Sequence, residues 1–440
     1  MKLQIEKAVY GGAGLAHQTE GADKGKAVFV PFTLPGEAVE AHIQKNPSGE
    51  EKNAFGEATL IRVLSPSKDR VQPRCAHFGS CGGCNYQHAA YSSQLEMKLF
   101  ILRESLERAG LHSIPRIKSH SAEPWEYRNR TRFRIAESDS TLQVGYNRRG
   151  SNEFLAIHEC PISAPLLIRA AQALLRAANE DIAAARWLRS ASEVEFFTTP
   201  DQKNLQMTLF VRNQYARFAA FCERLRHLVP ELTGAGAMLV ATGSQRRAKK
   251  PQPLANWGAN GLNYPAAAEK YWVSRGGFFQ VNRFLIDQFV HIVTNEQQGS
   301  LAWDLYAGVG LFSRALAKKF QNVVAVEAAA NDLVSSFKGP GKHAVESTAL
   351  EFLRGAALQR NRPDLIVMDP PRAGVGAEVC SLLARISAPE LIYVSCDPVT
   401  LARDLKVLVE SGYNLAVLRL IDMFPQTFHM ETIATLRKTI

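Results

Sequence analysis

The sequence predicts an α/β chain of three units that ends in a doubly wound, Rossmann-like parallel sheet. Three observations point there. From about residue 263 onward, apolar strands alternate with helices: LAWDLY, GLFSRALAKKF, VVAVE, DLIVMD, a helix through Glu378 to Ile386, LIYVSC, a helix after Pro398 and two final strands. Residues 1–64 read instead as short strands with turn signals between them, the pattern of a small antiparallel, OB-like β-barrel. Residues 65–262 hold a cysteine cluster, a helical stretch and then mixed strands and helices, an α+β unit. At 440 residues the chain is about three times a typical domain of ~150, which suits the division 1–64, 65–262 and 263–440.

Composition narrows the setting. A hydrophobic fraction of 46% and a charged fraction of 21% are ordinary for a globular protein, and no apolar run approaches the ~20 residues that span a bilayer, so no membrane partner is expected. The N-terminal MKLQIEKAVY has charges where a signal peptide needs its apolar stretch, and a cytoplasmic monomer is the expectation. Fifty-two Lys and Arg against 42 Asp and Glu leave +10, which favours a polyanionic partner without deciding it. Seven cysteines, an odd number unevenly spread, favour metal binding or catalysis over a disulfide framework.

In chain order, the first unit reads as LQIEKAVY, the turn Gly11-Gly12-Ala13-Gly14, AVFVPFTL, the Pro35-Gly36 turn, EAVEAHIQ and GEATLIRVL. Such a barrel binds nucleic acid or is purely structural. The second unit opens with the cysteines, continues through the helix SSQLEMKLFILRESLERAG and holds the densest basic patches: Tyr127 to Arg134, Arg148-Arg149, and Arg246-Arg247-Ala248-Lys249-Lys250. On a strand, the alternation in YRNRTRFR puts arginines on one face, where they meet phosphates or simply stay solvated.

In the third unit, LAWDLY runs straight into Ala307-Gly308-Val309-Gly310 and a helix, so the backbone turns tightly beside a ligand at the strand's carboxyl end. Glu327 ends the next strand, where its carboxylate can accept from both hydroxyls of a ribose. One spaced glycine pair, with no evident phosphate grip, suits S-adenosyl-L-methionine better than a dinucleotide. Asp369-Pro370-Pro371-Arg372 puts a further carboxylate on a stiff loop at the same sheet edge, as in methyltransferases acting on nucleobases.

LIYVSC ends in Ser395-Cys396-Asp397-Pro398, and a helix starting after Pro398 points its positive end near the Cys396 thiol, which is expected to lower its pKa. Cys222 and Cys380 read as buried small hydrophobes. Phe424 to Glu431 supplies an imidazole, His429, and a second carboxylate. Carbon 5 of uracil is a poor nucleophile until a thiolate adds at carbon 6; the activated carbon then takes a methyl group, and a base removes its proton and expels the cysteine. A cysteine, a base and a methyl donor at one sheet edge meet those needs.

These motifs resemble the bacterial RNA 5-methyluridine methyltransferase family, in particular its members with an N-terminal TRAM barrel and an iron–sulfur cluster that act on large-subunit ribosomal RNA. The match covers nearly the whole chain. By that resemblance Cys396 is the nucleophile and Glu431 the general base. Gln280 in GGFFQVN, Tyr306 and Gly308 in DLYAGVG, Glu327 and Asp369 occupy cofactor-site positions. Cys75-x5-Cys81-x2-Cys84 with distant Cys160 looks like the family's four-cysteine site. Spacing alone suits a [4Fe-4S] cluster or tetrahedral zinc, with His77 or His88 as spare ligands; the resemblance favours the cluster, in a structural or RNA-facing role.

Several positions depart from the pattern. Asp397 stands where the family usually has Asn, and its charge is expected to disfavour the thiolate. Leu311 replaces a polar Asn, and Ala307 a small polar residue or Cys. The segment after Glu327 is short, leaving Ser347 as the candidate near the adenine. Competing readings are an RNA-binding protein with an inactive methyltransferase domain, a transfer-RNA uridine methyltransferase, and a nitrogen methyltransferase. The last would use DPPR without needing SCDP, and retention of Cys396, Glu431, Asp369 and Gln280 argues against the first.

Overall fold

The structure, a computed structural model, describes residues 1–20, 24–43, 55–241, 250–359 and 362–439. Arg246 to Lys249 of the last basic run lie outside the described residues. No helix among the described residues is long and apolar enough to cross a membrane.

The N-terminal strands close on themselves. Lys2–Gln4 pairs with Ala38–Ile43, and Lys7–Ala8 pairs with Ala13–His17. Between these halves Ile5 N donates to Glu37 O and Glu6 N to Leu15 O, so one bent strand joins both edges of the sheet. Ala27–Pro31 then pairs with Ala13–His17 on one side and Phe55–Ser65 on the other, and Phe55–Ser65 returns to Ala38–Ile43. The pairing of Ala27–Pro31 with Phe55–Ser65 is parallel, so the barrel is of the OB type and not antiparallel throughout. Alternate residues Val28, Val30, Val39, Ala41 and Ala58 fill its core with Leu3 and Ile5. Gly14, read as a turn glycine, lies in a strand: a Cβ there would come within 2.3 Å of Thr33 Oγ1.

The central sheet has seven strands in the order Phe154–Ala156, Thr141–Asn147, Arg130–Ser138, Ala191–Thr198, Leu205–Val211, Leu232–Leu239 and Gln252–Gly258. Helices Pro165–Glu180, Ile182–Ser190 and Phe218–Leu228 cover one face, burying Phe133, Trp187, Leu209 and Cys222. Asp181 caps the second helix by accepting from Ala184 N at 2.8 Å.

The C-terminal sheet runs Lys342–Glu346, Phe320–Glu327, Gly299–Leu305, Leu365–Met368, Glu390–Ser395, Glu431–Lys438, Tyr413–Ile421 and Ile117–His120. Its strands are parallel except Glu431–Lys438, which is antiparallel to both neighbours. Strand order reverses between Gly299–Leu305 and Leu365–Met368, the switch point at which such sheets bind ligands. One difference from the sequence expectation concerns 91–120. Helix Tyr91–Arg108 shares a core with helix Pro398–Glu410, and Ile117–His120 extends the C-terminal sheet, although both stretches were grouped with the central unit.

Candidate active site

At the switch point the backbone after Leu305 takes three left-handed residues, Tyr306, Gly308 and Gly310 (φ 62°, 57° and 83°). The glycines adopt this freely; for Tyr306 it costs about 1–2 kcal/mol, strain of a kind that clusters at ligand sites. The turn folds Gly308 N onto Oε2 of Glu327 at 3.0 Å, while Oε1 accepts from Ala329 N. Oε2 of Glu327 thus faces the turn, Oε1 faces its own following loop, and both keep lone pairs for a ligand. Ser347 N donates to Glu327 O, which puts Ser347 at the same edge. The Tyr306 phenol leans away toward Asp404 and Cys380, and its pKa rises chiefly through burial. Leu311 is buried in the core beside Phe312 and accepts Tyr271 Oη on its carbonyl, so its apolar side chain is a packing residue.

Buried acidic groups lie close together at these strand ends. Asp304 is fully buried; Ser313 Oγ donates to Oδ2, while Oδ1 has no protein partner. Burial pushes its carboxyl up to about 7, partly offset by Ser313. Asp369, at the end of the neighbouring strand, is raised by burial and then by Asp304. Buried Gln280 approaches Oδ2 of Asp369 with Nε2 at 3.5 Å, and Asn129 Nδ2 fixes the Gln280 carbonyl at 2.9 Å. Two acidic side chains and an unpartnered carboxylate oxygen suit a cationic ligand, and the sulfonium and ammonium groups of S-adenosylmethionine match that demand.

Sheet register brings the next pair together. Ser395 lies opposite Thr432 in antiparallel strands, so Cys396 and Glu431 follow as neighbours across the sheet end. Glu431 is buried, Oε1 has no partner, and burial followed by the Asp369 charge raises its pKa well above the usual carboxylate range. The expected lowering of the Cys396 pKa is not found: burial, then Glu431, push the thiol up to about 11, against the pull of Arg372. The helix end that was to lower it is already capped, because Asp397 Oδ1 accepts from Val399 N and Thr400 N at 3.0 Å each. His429 accepts from Arg372 Nη2 at 3.2 Å; burial and Arg372 push its pKa down to about 4, so its imidazole is a weak base.

The stretch before Glu431 is fastened from beneath by helix Tyr91–Arg108. Lys98 and Asp422, both fully buried, form an ion pair at 2.6 Å, and Lys98 Nζ also donates to Phe424 O. Tyr91 Oη donates to the other Asp422 oxygen at 2.8 Å. Gln94 donates to Gln426 Oε1 and accepts from Gln426 N, both at 3.0 Å. Sequence reading missed this network, although Gln94 and Lys98 share the face that buries Met97, Ile101 and Leu102.

The four cysteines expected to form one site do line one cavity, of about 380 Å³, together with Arg128, Tyr146 and His77. Cys75, Cys81 and Cys84 come from the loop after the barrel, and Cys160 from the loop before helix Pro165–Glu180. Burial raises the thiols of Cys75 and Cys81 and pushes Cys84 up to about 12. Among the described residues no three His, Cys, Asp or Glu side chains converge as a single-ion site. His88 lies off this cavity, packed against Phe78 and Phe32. The arginines of YRNRTRFR share a face as expected but are engaged within the protein. Arg130 stacks on Phe197 at 3.9 Å, Arg132 pairs with Glu195 at 2.9 Å, and Arg134 donates to Asn147 at 2.7 Å.

Residues 90–339 and 341–439 match the family model described as tRNA (uracil-5-)-methyltransferase. The chain belongs to this family. Full-length relatives agree: an RNA methyltransferase of Aquifex aeolicus is 32% identical over 99% of this chain and 98% of its own. A 23S rRNA (uracil(1939)-C(5))-methyltransferase of Halomonas elongata is 30% identical over 96% of this chain and 88% of its own. The same fold is found in a Pyrococcus abyssi tRNA (uracil-54, C5)-methyltransferase solved with S-adenosyl-L-homocysteine, with a TM-score of 0.72, 20% identity and coverage of 99% and 100%. The protein is therefore an S-adenosylmethionine-dependent RNA (uracil-5-)-methyltransferase, built on the Rossmann-like sheet that its sequence predicts.

Proposed function

We propose that this methyltransferase modifies carbon 5 of one uridine in large-subunit ribosomal RNA, with Cys396 as nucleophile and Glu431 as the base that removes the carbon-5 proton. The juxtaposition of Cys396, Glu431, Asp369 and Gln280 in one cleft supports this most directly. Ribosomal RNA is favoured because full-length relatives are named for 23S rRNA. Bound at the switch point, S-adenosylmethionine supplies an electrophilic methyl group. Glu327 would accept from its ribose hydroxyls, and Gly308 would let it approach the backbone. Cys396 attacks carbon 6 as a thiolate, so the thiol must first give up its proton. Arg372 favours the ionised form, while the neighbouring carboxylates oppose it. After methylation the raised pKa of Glu431 makes it a competent acceptor for the carbon-5 proton, and the returning electrons expel the Cys396 sulfur.

The four cysteines line one cavity, which suits a four-thiolate metal site, and the family resemblance favours a [4Fe-4S] cluster over zinc there. Buried thiols with raised pKa values need a cationic partner to ionise. The barrel in 1–64 is read as a TRAM-type RNA-binding unit, 65–262 as the cluster and RNA-binding region, and 263–440 as the catalytic unit, in a cytoplasmic monomer. Methyl transfer from labelled cofactor to RNA lacking 5-methyluridine, followed by nucleoside mapping, tests the proposal. The expected product is 5-methyluridine at a single 23S position; a transfer-RNA product would replace the target, and no transfer by anaerobically purified protein would sink the reading.

A further inference from the structure

The N-terminal barrel reaches into the catalytic cleft. Tyr10, two residues after strand Lys7–Ala8, donates its hydroxyl to Oδ2 of Asp397 at 3.0 Å. Its ring meets Phe428 edge-on, with centroids 5.4 Å apart. An ion pair between Lys7 and Glu104 fastens the same strand to helix Tyr91–Arg108. Tyr10 is thus held to a neighbour of each reacting group: Asp397 follows Cys396, and Phe428 lies three residues before Glu431.

We propose that Tyr10 is a positioning residue for the nucleophile. Its hydroxyl engages the Asp397 oxygen that does not cap the helix, so the carboxylate is spread over three donors and its field on Cys396 is weakened. This rests on the reading of Cys396 as nucleophile and explains how a charged residue is tolerated beside it. Asp397 Oδ1 is occupied by Val399 N and Thr400 N, leaving Oδ2 as the face needing a partner. The other charged groups around the thiol are Glu431 on its strand, and Asp369 and Arg372 on the loop after Leu365–Met368. Of these groups only Arg372 favours the thiolate. A hydrogen bond from a neutral phenol disperses charge without adding any, and burial keeps that phenol protonated.

The test is the rate of Cys396 alkylation by iodoacetamide against pH in the full-length protein, read by mass spectrometry on the Cys396 peptide. Tyr10→Phe keeps the ring on Phe428 and removes only the hydroxyl. It is expected to move the midpoint of the profile up by about half a pH unit, making alkylation about threefold slower below the midpoint. Asp397→Asn is expected to move it down, and adding Tyr10→Phe in that background is expected to produce no further upward shift. A Tyr10→Phe profile superimposed on that of the parent, or an equal shift in both backgrounds, overturns the proposal. In turnover the loss is expected in kcat with KM for RNA unchanged; a change in KM alone would make Tyr10 an RNA contact and also overturn it. Alkylation needs neither RNA nor methyl donor, so this can fail while Cys396 remains the nucleophile, and the reverse.

Discussion

Cys396 stands at the end of a strand paired on both sides, whereas Cys75, Cys81, Cys84 and Cys160 stand on loops from two separate stretches of chain. Burial raises the thiol pKa of Cys396 and of the three loop cysteines alike for which a shift is resolved, so desolvation does not distinguish the two sites. Placement does. Cys396 meets Glu431 because two ladders of backbone hydrogen bonds fix their register, and that arrangement needs no bound ligand. The loop cysteines surround a cavity and are held by local loop bonds, Cys75 N to Gln87 Oε1 at 3.0 Å and Ala76 N to Glu159 Oε1 at 2.8 Å. One site is fixed by paired strands, the other by two loops that meet around a cavity.

The largest effects test the preorganised site. Cys396→Ala is expected to lower methyl transfer by about 10⁴-fold or more, because the attacking sulfur is removed, while thermal stability changes little. Glu431→Gln is expected to slow turnover by roughly 10²–10⁴-fold and to accumulate a covalent RNA adduct resistant to denaturation, since the sulfur cannot leave until the carbon-5 proton does. Denaturing gels with labelled RNA check both. An adduct formed by Cys396→Ala would show that register had been misjudged as the source of the nucleophile.

Next in size is the support under the cleft. Lys98→Met leaves Asp422 as an unpaired buried charge, an expected loss of about 3–5 kcal/mol. Lys98→Met with Asp422→Asn removes the stranded charge and should recover part of that loss in denaturant unfolding. Equal destabilisation of the single and double variants would mean that Lys98 acts through packing alone.

The loop site should respond in the opposite way to Cys396→Ala. Cys84→Ser is expected to lose bound iron and about 2–4 kcal/mol of stability, the size of losing a crosslink between distant loops. Alkylation of Cys396 should proceed at its original rate, since the sheet register does not depend on the cavity. Iron analysis, calorimetry and alkylation measured on one preparation check this; slowed Cys396 alkylation would show that the cysteine loop acts on the cleft through the bonds of Asn85 N and Tyr86 N to Gln426 O.

The same contrast explains what the sequence made legible. Alternating apolar strands and helices marked the C-terminal sheet, and LAWDLY, VVAVE, DLIVMD and LIYVSC all appear as strands because fully buried parallel strands must be apolar on both faces. Strand ends therefore located Glu327, Asp369 and Cys396 in advance. The strand IKSH escaped notice because it is short and lacks alternation, so only its pairing with Tyr413–Ile421 identifies it. Tyr10 and Asp304 escaped for a different reason: a tyrosine just before a glycine turn and an aspartate inside an apolar strand acquire meaning only from partners hundreds or tens of residues away. The thiol pKa was misjudged because a helix end was counted as bare when its own cap, Asp397, stands in the motif.

The smallest effect concerns Asp304, where burial also raises a pKa but no sulfur is involved. A carboxyl at about 7 in the folded chain, against 3.8 when exposed, binds its proton more tightly folded than unfolded. Its contribution to stability is therefore complete below about pH 4 and is lost as pH rises through about 7. Linkage over that interval bounds the effect at about 4 kcal/mol, and relaxation with water entry brings it to on the order of 2 kcal/mol. Without ligand, the parent protein should lose stability relative to Asp304→Asn between pH 4.5 and 7.5 in matched thermal melts. Parallel curves would show that Asp304 is ionised without cost and would remove the argument that the cleft awaits a cation. With S-adenosylmethionine bound, the difference between the curves should shrink, because a sulfonium stabilises the ionised form that burial penalises.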